Sequence, residues 1–172
     1  MRRRRFLRAV GTAAAGGATA AAGCGSGGDG GGGTATRGAN TVGMVSGDQL
    51  YFDPIGLAVD TGETVTFRNE SGRHSATAYR GEIASERRIP EDAEGWNSTT
   101  LNGQGATFEH TFEAEGTYDY FCIPHKSLGM VGRIVVGDPG GPAEGSMPPD
   151  GPVPESSRIV EAGAVPFSEF DG

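Results

Sequence analysis

Lysine is almost missing from this chain: among 172 residues there is one, Lys126. Cysteine, histidine and methionine are scarce too, with two, three and four copies, and tryptophan occurs once. No long hydrophobic run is present; the longest weakly apolar stretch, Ala9–Ala22, is broken by glycine and threonine. It falls short of the roughly 20 apolar residues that a membrane-spanning helix needs. The lack of basic residues excludes nucleic acid as a partner, because phosphate recognition requires a cationic footprint. Two cysteines, Cys24 and Cys122, cannot make a disulfide framework, and a bond between them would only tie a glycine-rich leader to the body. No internal repeat is present.

What is abundant is glycine, proline and acid. Thirty-one glycines and ten prolines are too many for one packed unit, so part of the chain reads as linker or tail. The net charge of −8 understates the acidity of the body, because five of the fourteen basic residues lie in residues 1–23 beside no acid at all. An acidic, lysine-poor surface reads as adaptation to high salt, where charge repulsion is screened.

Residues 1–23 form the expected export signal. Arg3–Arg8, "RRRFLR", resembles a twin-arginine address, which a receptor reads and which is not itself an anchor. "AAGC", ending at Cys24, resembles the processing site of lipoproteins and implies a lipid-modified Cys24, although Ala21 stands where leucine is usual. Residues 24–40 continue as a glycine-rich spacer with a reach of roughly 20–25 Å. The expected location is the outer face of the cell membrane, lipid-anchored.

From Thr41 to about residue 137 the pattern is short alternating runs between glycine- and proline-rich turns. "ETVTFRN" sets Val65 and Phe67 on one face, and "ATFEHTF" sets Phe108, His110 and Phe112 on another. "GTYDYFC" places Tyr118, Tyr120 and Cys122 together, opposite Asp119 and Phe121. Period-two patterning of this kind indicates an all-β sandwich of about eight strands. Arg80–Gly105 breaks the pattern and reads as a long excursion with one helical turn, pinned to the core by Trp96. Residues 138–172 read as a Pro/Gly linker followed by an apolar arm, Arg158–Phe170, packing on the sandwich.

The chemistry concentrates in "YFCIPHKSLGMVG", residues 120–132, which holds Cys122, His125 and Met130. One thiolate and two imidazoles with a weak thioether suit copper moving between its two oxidation states. Pro124 and Gly129 suit the tight turn that presents three of those donors. "GRHSATAY" offers His74 as the fourth. His110, between two phenylalanines on one strand face, reads as a structural histidine. Three histidines cannot supply a second, histidine-based copper site, zinc rarely takes methionine, and no oxyanion hole suggests a thiol enzyme. The expectation is therefore a protein that is not an enzyme.

"YFCIPHKSLGMVGRIVV", with "NESGRHS" and "EGTYDYFCIPH", resembles the copper loop and last strand of plastocyanin-type cupredoxins, and the acidic, lipid-anchored layout is similar to halocyanins. The resemblance implies a Greek-key cupredoxin β-sandwich with one type 1 copper held by His74, Cys122, His125 and Met130. It also implies a monomer carrying single electrons between redox proteins of a membrane electron-transport chain. A copper storage or delivery protein is the alternative, although such proteins present clustered, open donors. The expected electron port is the solvent edge of His125, framed by Pro124, Leu128 and either Phe52 or Pro54. The family commonly has asparagine after its first histidine ligand; here that position is Ser75, which makes Ser75 the residue to watch beside the thiolate.

Overall fold

The computed structural model describes residues 40–81, 84 and 86–172. The export signal, Cys24, most of the spacer and Ile83 lie outside the described residues. Among the described residues, nine short strands form two sheets. The first has the order β2 (Leu50–Asp53), β1 (Thr41–Ser46), β4 (Thr64–Asn69), β6 (Thr107–Thr111). The second has the order β5 (Thr77–Ala78), β7 (Gly116–Phe121), β8 (Val131–Val136), β3 (Gly56–Val59), β9 (Ala164–Val165). The β1–β4 and β3–β8 pairs are parallel, and the other pairs are antiparallel. Strands that pair in parallel need a crossover connection, and here the chain makes it by passing between the two sheets. It does so after β2, where a cis Asp53–Pro54 bond separates two strands of opposite sheets.

Alternation explains the first sheet. In β4, Val65 and Phe67 point inward and are fully buried, while Thr64 is exposed. Across the sandwich they meet Tyr118, Tyr120 and Cys122 of the β7 run, with Ile134 and Val136 of β8, in one core cluster. Phe67 lies edge-on to Tyr120 at 5.3 Å between ring centroids. Trp96 closes the core as expected, stacked on His110 at 4.7 Å and edge-on to Phe112 at 5.2 Å. Its segment contains no helix among the described residues. Two isolated bridges, His74 with Leu101 and Thr77 with Asn97, hold it as extended chain and turns.

The second sheet departs from simple alternation, since every residue of β7 and β8 is buried. The segment after Asp138 covers its outer face and corrects the expectation of a linker. Ala143, Val153 and Ser156 are buried, and α1 (Ser156–Ala162) seats Ile159 against Ile55, Val135 and Val165. Phe121 packs with Tyr79, Val131 and Val153 beneath it. On the same face Asp119 is fully buried between two buried arginines. Arg88 Nε donates to one carboxylate oxygen at 2.8 Å, and Arg133 Nε to the other at 2.7 Å. Both guanidinium groups also donate to the Ala143 carbonyl, which clamps the C-terminal segment to the sheet. Among the described residues no helix is long and apolar enough to cross a membrane.

Candidate metal centre

Cys122 follows directly on β7, and Met130 immediately precedes β8. Two backbone bonds close the loop: the Cys122 N–H donates to the Met130 carbonyl at 3.0 Å, and the Met130 N–H donates to the His125 carbonyl at 3.3 Å. Between them Ile123–Leu128 winds as two 3₁₀ turns kinked at His125, with Pro124 in the first turn. The loop ends in Gly129 at φ 81°, a left-handed conformation that glycine adopts without steric cost. Nine residues thereby deliver a thiol and an imidazole to one point, with fully buried Met130 at the loop's closure.

His74 arrives from the other side. Its backbone pairs with Leu101 in both directions, at 3.2 and 2.7 Å, and the turn before it is held by Asn69. The Asn69 amide donates to the carbonyls of Gly72 and Gly103 at 3.0 Å each. The His74 Nε2 lies 2.9 Å from Ser46 Oγ at the end of β1, which turns Nδ1 toward the loop. Gly72 makes that contact feasible: a Cβ there would stand 2.3 Å from Ser46 Oγ, and its φ of +80° is one that side chains rarely adopt.

Three donor atoms then converge. Cys122 Sγ is 3.6 Å from His74 Nδ1 and 3.4 Å from His125 Nδ1, and the two nitrogens are 3.2 Å apart. Donors bound to one ion at about 2.0–2.3 Å in a roughly trigonal plane stand about 3.4–3.8 Å from one another, so these spacings are close to those of a metal-ready set. Their chemistry, one thiolate and two imidazoles, is the set that suits copper. His110 is not part of it.

Electrostatics keep the three donors neutral before metal arrives. Burial, and then the charge of the neighbouring His125, lower the His74 pKa to about 4. Burial also lowers His125. Burial raises the Cys122 thiol, opposed by hydrogen bonds that include one from the Ser75 N–H at 3.3 Å to Sγ. A cation that replaces the thiol proton relieves this penalty, so binding releases a proton.

Ser75 acts on the site twice. Its backbone N–H reaches the sulfur, and its hydroxyl accepts the Ile123 N–H at 2.8 Å, linking the His74 turn to the Cys122 loop. Ser46, Asn69 and Gly72 support the site although the sequence assigns none of them a role, Asn69 and Gly72 lying within "NESGRHS". Only Gly72, two residues before His74, carried a local signal. Of the residues expected around the port, Pro124 and Leu128 are exposed and His125 is half-buried. Phe52 is fully buried in the core and cannot frame a surface edge, because its strand face points between the sheets. Pro54 is half-buried at the β2–β3 junction.

A two-sheet Greek-key sandwich with a buried cysteine and two histidines between its strand ends defines the cupredoxin class of copper protein. Residues 39–137 match the family described as copper binding proteins, plastocyanin/azurin family, and the chain belongs to that family. Copper is its cofactor, and its class consists typically of single-electron carriers. Over 93 residues the chain is 37% identical to chloroplastic plastocyanin of Pisum sativum, covering 51% of this chain and 52% of that one. Over 87 residues it is 37% identical to halocyanin of Natronomonas pharaonis, covering 49% and 47%. The chain thus spans about half the length of these relatives. Pseudoazurin from Methylobacterium extorquens AM1 shares the fold, with a TM-score of 0.53 and 23% identity over 72% of this chain and 94% of its own.

Proposed function

We propose that this protein carries single electrons between redox proteins at the outer face of a cell membrane, tethered there through a lipid on Cys24. Copper, when bound, supplies a one-electron couple. His74 Nδ1, Cys122 Sγ and His125 Nδ1 would hold it, and the Met130 thioether would serve as the weak fourth donor. Ser46 and Ser75 orient the imidazole and the sulfur, and the buried ring of core side chains excludes water. Because His74 comes from the β4–β5 connection and the other donors from the β7–β8 loop, their positions are set by the folded sandwich rather than by the ion, which would keep reorganisation small on redox cycling.

The observation that carries the reading is the unequal burial of the donors. His74 and Cys122 are fully buried, whereas His125 reaches the surface between exposed Pro124 and Leu128, the latter 66% exposed. A buried redox centre with one imidazole edge inside an apolar rim admits a partner closely without admitting water. A storage or delivery site would need donors open to exchange, which these are not.

Copper(II) added to the full chain should produce an intense thiolate-to-copper absorption in the red, bleached reversibly by one electron and absent in Cys122→Ser. A pale product, or one that takes more than one electron, would overturn the carrier reading. Mass spectrometry of the native N-terminus tests the tether: an unmodified Cys24 removes it and leaves the carrier reading standing.

A further inference from the structure

Two asparagines open an Asn-x-Ser/Thr triplet, Asn69-Glu70-Ser71 and Asn97-Ser98-Thr99. In an exported chain that triplet is the acceptor pattern for an N-linked glycan, and the fold treats the two in opposite ways. Asn69 is fully buried, and its amide nitrogen donates to the carbonyls of Gly72, Leu101 and Gly103. The Ser71 hydroxyl is engaged as well, accepting the Ser46 N–H and donating to the Ser46 carbonyl at 2.8 Å each. Asn97, by contrast, is exposed in the segment bridged to Thr77 of β5. Its Oδ1 accepts the Thr99 N–H at 2.8 Å and the Thr77 hydroxyl at 3.2 Å, and its amide nitrogen makes no hydrogen bond among the described residues. Thr99 is exposed too, and among the described residues it alone has a positive φ without being glycine, at 56°. A β-branched side chain is strained there, where glycine or asparagine would be at ease. Its hydroxyl makes no hydrogen bond among the described residues. A strained threonine whose hydroxyl has no use inside the fold points to a use outside it.

We propose that Asn97 is an N-glycosylation site, which takes an oligosaccharide from a polyprenyl-phosphate-linked donor at the outer face of the membrane. The proposal rests on the reading that the chain is exported. A glycan added after folding reaches only an exposed acceptor, which rules out Asn69 and leaves Asn97. In the transfer, Asn97 Nδ2 forms a bond to the anomeric carbon of the first sugar, and the bond from that carbon to the phosphate oxygen breaks. The amide nitrogen gives up one proton to a base of the membrane transferase, the lipid phosphate leaves, and nothing is oxidised or reduced. Within the acceptor, the two bonds to Oδ1 fix the amide plane, so the unbonded nitrogen is offered in one orientation. The Thr99 hydroxyl, two residues on, is the group the transferase recognises. A groove of about 330 Å³ beside Asn97, lined also by Thr77, Arg80 and Trp96, gives the first sugar a polar and aromatic seat.

The test is peptide mass spectrometry of the full protein purified from the cells that make it. The peptide carrying residues 97–99 should hold a mass increment made of whole sugar residues, and the peptide carrying residues 69–71 should hold none. Asn97→Gln and Thr99→Gly should each lose the increment completely, whereas Thr99→Ser should keep it. Glycine suits the φ of 56° better than threonine does, so the loss in Thr99→Gly is not a failure to fold. An unchanged red absorption of each copper-loaded variant checks this. An unmodified Asn97 in a chain from which residues 1–23 have been removed, or a glycan that survives Thr99→Gly, would overturn the proposal. A chain that keeps residues 1–23 and stays inside the cell would instead sink the export reading on which it stands.

Discussion

At the residue scale, His74 shows how burial prepares a metal donor. An imidazole kept neutral down to about pH 4 is ready to bind a cation at neutral pH without first losing a proton. The same burial has a stability consequence. The unfolded chain protonates His74 near its ordinary pKa of about 6.5, whereas the folded chain resists protonation until about 4. Between those values the unfolded state binds more protons, so folding stability is present above the upper value and is lost as pH falls toward the lower. The metal-free protein should therefore lose on the order of 1–3 kcal/mol between pH 7 and 4 from this group, read as a falling urea midpoint. His74→Gln should flatten that part of the profile. An unchanged slope in that variant would show that other groups dominate.

Gly72 and Ser75 carry a related lesson. Each is small because a neighbour needs the space or the reach: Ser46 approaches where a Cβ would stand, and the Ser75 hydroxyl meets the Ile123 N–H. At the position after His74, serine has a shorter side chain than the asparagine common in the family. Its contact with the sulfur runs through the backbone, which no side-chain comparison reveals.

At the scale of elements, the C-terminal segment is the main addition to the sandwich. Val153, Ile159 and Val165 are at most 2% exposed on the outer face of the second sheet, and Ala143 offers its carbonyl to both Arg88 and Arg133. Deleting residues 138–172 would expose all of this. Burial of three aliphatic side chains at about 1.5–3 kcal/mol each implies a loss of roughly 5–9 kcal/mol. The truncated chain should melt far below the full one in calorimetry and bind an exposed-hydrophobic dye. A truncation that melts within a few degrees of the parent would mean the segment merely lies on the sheet.

Asp119 belongs to the same element-scale problem. It lies on the face of β7 opposite the core and is nevertheless fully buried. A buried carboxylate is tolerable there because two guanidinium groups meet its two oxygens, one from β8 and one from the Arg80–Gly105 excursion. Arg88 and Arg133 are far apart in sequence, and nothing local announced that they would share one acid.

At the scale of the whole molecule, the net charge of −8 acts on stability through self-repulsion. The screening length falls from about 10 Å at 0.1 M salt to about 3 Å at 1 M. The copper-loaded protein should therefore gain melting temperature as sodium chloride rises from about 0.05 to 1 M, with most of the gain at the low end where screening changes fastest. A flat or falling curve would show that local pairs such as Lys126–Asp150, at 3.6 Å, outweigh the general repulsion.

The sequence by itself determined the strand pattern of residues 41–137, the core role of Trp96 and the spacing that places Cys122, His125 and Met130 on one loop. These are local properties: a period of two, a turn that needs proline and glycine, and donors within nine residues. Only the tertiary structure decided what lies opposite them. His74 faces the sulfur because Ser46, Asn69 and Leu101, each from a different part of the chain, hold its turn. The second sheet is covered on both faces because a proline-rich segment, apolar at widely spaced points, finds three aliphatic contacts and two arginines that exist only once the strands are paired. Periodicity reports which face of a strand is apolar. It cannot report whether the other face will also find a cover, since that depends on chain that returns from far away.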